Sequence, residues 1–269
     1  MKFLTLIEIE IKKLLPWMLS LFITLSAVST GLFYKLINKT YQKEILPQIM
    51  QSSLETYVKE NGRVSLTLLF DSTPVVPLLF LLSAILLVCF AFYLWYKEWF
   101  GASKRIYMLL TLKGSRFKLF LSKLIVTVFS VFCFYGVILL NLGALSFITT
   151  LVFPKELIAD QPVTSLLQYS NSINLILPLS IGDFIHKIGF IILMFSLISF
   201  FVLCDRSKKV IGIICGGAFL LANIALFFYT KTLYLYMDER LVVDYGFVFV
   251  MNALTMGLCT WLINKKVSI

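Results

Sequence analysis

The sequence predicts an all-α protein that crosses a membrane six times, and three observations predict it. The chain is 59% apolar and only 14% charged, with a mean hydropathy of +0.93, well outside the composition of soluble domains. Its Leu, Ile, Val and Phe gather in six blocks of about 20 residues, the length an α-helix needs to cross roughly 30 Å of hydrocarbon. No block carries a charge near its centre, as expected of helices facing lipid.

The N-terminal stretch LIEIEIK alternates as a strand would, yet Phe3, Leu4, Ile7, Ile11 and Leu14 also fall on one helical face. A lone strand at a membrane surface has no ladder partner, whereas Glu8 and Lys12 make an i,i+4 pair. Residues 1–14 therefore read as an interfacial helix, with Pro16 separating it from the first span and Trp17 at headgroup level. Two glutamates precede the first apolar block and no small-residue cleavage site follows, which speaks against a removable signal peptide.

The spans fall near 15–34, 74–96, 122–148, 184–203, 210–229 and 246–263. Between the first two, residues 35–73 form a long loop in which Leu46, Ile49, Met50, Leu54 and Tyr57 mark one amphipathic helix despite Pro47. Asn38-Lys39-Thr40 matches a glycosylation sequon, a pattern common by chance. A second long loop, 154–183, contains INLILPLSI, too short to span; it either dips into the leaflet or packs on the span ends.

An even number of spans leaves both termini on one side. That side, with residues 1–14, 97–121, 204–209, 264–269 and Lys123, holds fifteen of the 24 basic residues and four acidic ones. The other side holds nine basic and ten acidic residues. The positive-inside rule then places both termini in the cytoplasm.

The loop at 97–121 has more cations than topology needs, and Ile106, Tyr107, Met108, Leu109, Leu110 and Leu112 lie among them. Residues 103–113 read as a short helix, Gly114 suits the left-handed position after its end, and Ser115 suits the cap of the next helix. The pattern reads as a compact helical hairpin on the cytosolic surface; the plainer alternative is a basic amphipathic helix lying on anionic lipid.

Several chemistries lack their residues. There is no P-loop, HExxH or GxSxG run. The five cysteines show no CxxC and no Cys–His spacing suited to zinc, and read as small lipid- or core-facing side chains. The single histidine, His186, stands beside Asp183 and Lys187 at the mouth of the fourth span, where an interfacial solvated cluster is the plainer reading than a proton relay. Asn141, Asn223 and Asn252 read as interhelical hydrogen-bonding residues, and Gly216-Gly217 as a close-packing site. These features disfavour an ion-coupled carrier, which commonly exposes ionisable groups near the midplane. The net charge of +10 reflects this topology, so no nucleic-acid partner is expected.

The stretch YKEWFGASKRIYMLLTLKGSRFKLFLSKLI resembles the first cytosolic loop of bacterial type-2 ABC exporter permeases. There a span ends in an aromatic-rich turn with a glutamate, followed by a short helix with a Leu-Leu pair, a Ser-Arg turn and a lysine opening the third span. On that match Glu98, Tyr107, Leu109, Leu110, Ser115, Arg116 and Lys123 fall at the family's positions, and IEIEIKKLL places Glu10 and Lys13 like the acidic and basic residues of its opening helix. One departure is visible: many relatives have a proline where Lys113 or Gly114 stands.

The resemblance implies a single permease domain over 1–269 in a bacterial plasma membrane, without enzymatic activity of its own. It implies pairing with a second permease, a copy or a paralogue, and docking of each hairpin into the cleft of a nucleotide-binding ATPase that carries ATP and magnesium. Tyr107, Leu109 and Leu110 would then fill the cleft while Lys104, Arg105 and Arg116 pair with acidic residues at its rim. Apolar, Phe-rich spans favour amphipathic cargo: a peptide, an antimicrobial compound or a lipid, with export or immunity as the outcome. The rival expectation is a non-transporting scaffold or sensor whose basic loop binds lipid or a signalling partner.

Overall fold

The computed structural model describes residues 3–100, 117–159, 162–208, 210–234 and 236–265. Its elements are α1 (Phe3–Thr40), a π-helical turn (Tyr41–Ile45), α2 (Leu46–Ser52), α3 (Leu54–Asn61), α4 (Leu66–Ser72), α5 (Val75–Phe100), α6 (Phe117–Val152), a 3-10 turn (Lys155–Leu157), α7 (Pro162–Tyr169), α8 (Asn171–Ile176), α9 (Ile181–Lys208), α10 (Val210–Thr232) and α11 (Met237–Lys265). Among the described residues, one parallel bridge between Val64 and Ile158 is the sole extended pairing. Six helices among the described residues are long and apolar enough to cross a bilayer. The protein is an all-α, multi-pass membrane protein, as the hydropathy blocks predict. In hydrocarbon no water satisfies backbone N–H and C=O groups, so each apolar block closes its hydrogen bonds within one helix.

Two sequence expectations are corrected. Pro16 does not divide an interfacial helix at 1–14 from span one: α1 runs unbroken through it. Proline removes one donor at a cost of about 3 kcal/mol, whereas a break next to the bilayer core would leave several backbone groups unsatisfied. The amphipathic helix expected across Leu46–Tyr57 is two short helices, α2 and α3, meeting at Ser53, whose φ of 76° lies in the left-handed region. Pro47 lies just after the π turn within the continuous helical run Phe3–Gln51, and Met50 is exposed rather than core-facing. In INLILPLSI, Ile173 and Leu177 are buried and Leu175 and Leu179 exposed.

The chain groups into two compact units. The first comprises Met1–Pro16, Leu86–Ser130 and Gly182–Ile269. Its core is Trp95, Phe120, Phe195, Val202, Cys259 and Ile263 with their neighbours, and the Phe120 and Phe195 rings lie 5.5 Å apart. Helices in lipid associate through close packing and interhelical hydrogen bonds rather than through exclusion of water. Both occur here. Asn252 donates to the Gly189 carbonyl at 2.9 Å, joining α11 to α9. Gly216 of α10 approaches Cys204 and Phe201 of α9, while Gly217 has open space where a side chain would be.

The second unit comprises Trp17–Ile85 and Val131–Ile181. Asn141 of α6 donates to Ser26 Oγ at 3.0 Å and accepts from Ser29 Oγ at 3.1 Å, fastening α6 to α1 as the sequence predicts. Beyond α1, the segment from the π turn to α4 forms a cap. Val64 N–H donates to the Leu157 carbonyl at 2.7 Å, the Val64 carbonyl accepts from Ala159 at 3.0 Å, and Ser170 donates to Asp71 at 2.9 Å.

Candidate coupling site

Of the residues singled out by sequence, three meet in one place. Lys123, in the second turn of α6, is fully buried, and its ammonium lies 3.1 Å from Glu10 Oε1 of α1. Glu10 is 2% exposed. Lys13, one turn further along α1, lies 3.4 Å from both Glu10 carboxylate oxygens. Two more groups lie against Lys123. Its ammonium donates to the Leu94 carbonyl of α5 at 2.8 Å and stands 5.3 Å from the centroid of the Trp95 ring.

Trp95 carries the connection on. Its indole N–H donates to Ser199 Oγ of α9 at 2.9 Å, and the Ser199 hydroxyl donates to the Phe195 carbonyl at 2.7 Å. One buried cation thus ties α1, α5 and α6 together, and the indole extends the tie to α9. An ammonium has three N–H donors and no acceptor, so a carboxylate, a carbonyl and an aromatic face match what Lys123 offers. The desolvation cost of burying two charges is offset only when geometry and additional hydrogen bonds are good; both conditions hold here.

The cluster also stands close in the chain to the cation-rich loop. Trp95 lies five residues before the end of α5, and Lys123 six residues after the start of α6, each about 8–9 Å from its helix end at 1.5 Å per residue. The polar network therefore sits at both feet of the cation-rich loop. Glu98 lies in the last turn of α5; its side chain, and Lys104, Arg105, Tyr107, Leu109, Leu110, Ser115 and Arg116, lie outside the described residues.

Compared with known protein families, curated proteins and solved structures, the chain matches none.

Elsewhere the polar residues serve packing. His186 lies edge-on to Tyr245 at 5.3 Å, and Asp183 pairs with Lys187 at 2.9 Å. The interhelical bond expected of Asn223 is not formed: its amide donates to the Phe219 carbonyl of its own helix, and its Oδ1 is buried without a partner among the described residues. No group of three or more His, Cys, Asp or Glu side chains suited to a metal occurs among the described residues.

Sequence reasoning missed Trp95 and Ser199. The available signal was weak: an aromatic run, Tyr93-Leu94-Trp95-Tyr96, directly before Lys97 and Glu98, which reads first as an interfacial belt.

Proposed function

We propose that this chain is the membrane subunit of an ATP-driven exporter, with both termini and the 97–121 loop in the cytoplasm of a bacterial cell. The observation that carries the reading is the buried Glu10–Lys123–Trp95 network at the feet of that loop. A loop gripped by a motor transmits force only if its feet are stiff, and a fully desolvated ion pair joining several helices supplies that stiffness. On this reading a separate ATPase hydrolyses ATP with magnesium. A second permease, a copy or a paralogue, completes the pathway. The cargo is amphipathic, a peptide, antimicrobial compound or lipid-like molecule, and its removal confers resistance or immunity.

Isolation of the intact complex from native membranes tests the proposal. A soluble P-loop ATPase should co-purify in stoichiometric amount. Leu110→Ala should lower that recovery roughly tenfold or more, as truncation of a buried anchor commonly costs about 2 kcal/mol, and Lys104→Ala should lower it much less. Recovery of the chain without an ATPase, together with salt-sensitive binding of the loop to anionic vesicles, would replace the exporter with a lipid-binding scaffold.

A further inference from the structure

Outside its spans, the second unit is charged along one stretch of chain and uncharged along another. Residues 35–63 carry five cations and three carboxylates, whereas no residue between Asp160 and Asp183 is charged. The uncharged stretch contains α7 and α8 and leads directly into the spanning helix α9. We infer that residues 169–181 are a membrane-binding surface, seated in the interface of the leaflet that α9 enters, with Leu175 and Leu179 among the first methylenes and Tyr169 at headgroup level.

Burial sorts the side chains of this stretch into two sets. Ser170, Ile173 and Leu177 are buried, three and four positions apart, and hold the segment to its unit. Tyr169, Leu175, Leu179 and Ile181 are exposed, Tyr169 at 73% and Leu175 at 67%. Single exposed apolar residues need no explanation. Large ones gathered along one short uncharged stretch mark an interaction surface rather than a solvated one.

Both ends of the stretch are held where spans begin. At its start, Ser170 donates to Asp71 at 2.9 Å, and the ring of neighbouring Phe70 lies 6.3 Å from that of Phe80. Phe80 stands five residues inside the spanning helix α5, about 7–8 Å along its axis. At its end, Ile181 opens α9, and Leu179 is two residues before it, at most about 7 Å along the chain. The headgroup layer extends roughly 5–8 Å beyond the hydrocarbon, so a chain held at this level at both ends lies within it. Lipid also suits the surface better than protein does. A protein-docking patch has a polar rim and direct hydrogen bonds, whereas the exposed side chains here are apolar apart from the Tyr169 hydroxyl and Ser180. Interfacial segments bury such a face, with Tyr at the headgroup boundary.

Photocrosslinking of the full chain in vesicles of phosphatidylcholine and phosphatidylglycerol tests the surface, and no ATPase is needed for it. The photoreactive residue p-benzoylphenylalanine replaces Leu175, Leu179, Glu55 or Glu60, one at a time. Intact mass after illumination should show phospholipid adducts at the two leucine positions at least about tenfold more often than at the two glutamate positions, the ratio expected when a Leu-sized side chain is buried rather than wet. A covalent dimer from the leucine positions would assign the surface to a second copy, and an adduct with another protein in native membranes would assign it to that partner; either overturns the proposal. Hydroxyl-radical footprinting in lipid nanodiscs needs no variant. Tyr169 of the unaltered chain should react at least about tenfold below the intrinsic rate of tyrosine, and Met50, 77% exposed, close to the intrinsic rate of methionine. Lipid adducts absent from the leucine positions or equal at all four, or a Tyr169 as freely oxidised as Met50 on these scales, would overturn the proposal.

Discussion

Lys123 brings an ammonium into a fully buried site, and its neighbours determine what each substitution does. Removing one partner of a buried ion pair costs about 3–5 kcal/mol, because the other charge is left behind, whereas replacing both is often close to neutral. The two single changes are not equivalent here. Glu10→Gln keeps an acceptor oxygen for the fully buried Lys123 but removes the negative charge that balances it, and should destabilise the chain by about 3–5 kcal/mol. Lys123→Met leaves Glu10 with Lys13 at 3.4 Å and should cost less, about 1–3 kcal/mol. The double variant should unfold within about 1 kcal/mol of the native chain. Thermal unfolding of the purified protein in detergent ranks the three, and equal losses in both singles with no recovery in the double would refute the pairing. Sequence singled out Glu10, Lys13 and Lys123 but could not assemble them. Glu10 and Lys123 are 113 positions apart, and no local period connects them. Ser199 was hidden for a different reason: a serine within an apolar helix looks like filler until a donor is placed opposite it.

At the scale of elements, the α9–α10 pair shows how small residues substitute for hydrophobic driving force. Gly212 and Gly216 are four apart, on one face of α10, and a Cβ at Gly212 would run into the Cys204 carbonyl of α9. Backbone cannot give way as a flexible side chain can. Gly212→Ala should therefore push the helices apart and lower the melting temperature, at a cost of about 1–3 kcal/mol. Gly217→Ala meets open space and should be neutral or stabilising by up to about 1 kcal/mol, the helix propensity gained. Parallel melting curves decide it; equal behaviour of the two variants would mean that the close approach is not what holds the pair. The six apolar helices were legible because hydropathy over 20 residues is a strong sum. The glycine that matters was not: Gly216-Gly217 drew attention as a pair, while Gly212, one turn away, carried no mark of its own. Nor does sequence decide Pro16: the local penalty is visible in it, while the larger cost of breaking a helix at a membrane depends on where the bilayer lies. At Ser53 the apolar spacing continued across the break, so periodicity pointed to one helix where the backbone forms two.

For the whole molecule, the charge pattern of the sequence predicts an orientation, and everything said of a motor depends on it. Six crossings predict one side with the loop and both termini, holding fifteen basic and four acidic residues, against nine and ten on the other. A cation close to an anionic cytoplasmic leaflet gains about 1 kcal/mol, so an excess of this kind predicts the loop-inside arrangement. Reporter fusions to the full chain and to truncations give a direct reading. Green fluorescent protein after Ile269 should fluoresce, alkaline phosphatase after Glu60 should be active, and alkaline phosphatase after Leu110 should be inactive. Since the six spans alternate, the three results are linked: reversal of any one implies a lost or gained crossing, and reversal of all three inverts the molecule. An active phosphatase after Leu110 with a dark carboxyl-terminal fusion would put the loop where no cytoplasmic ATPase can reach it. The Glu10–Lys123 network would then be a packing device alone.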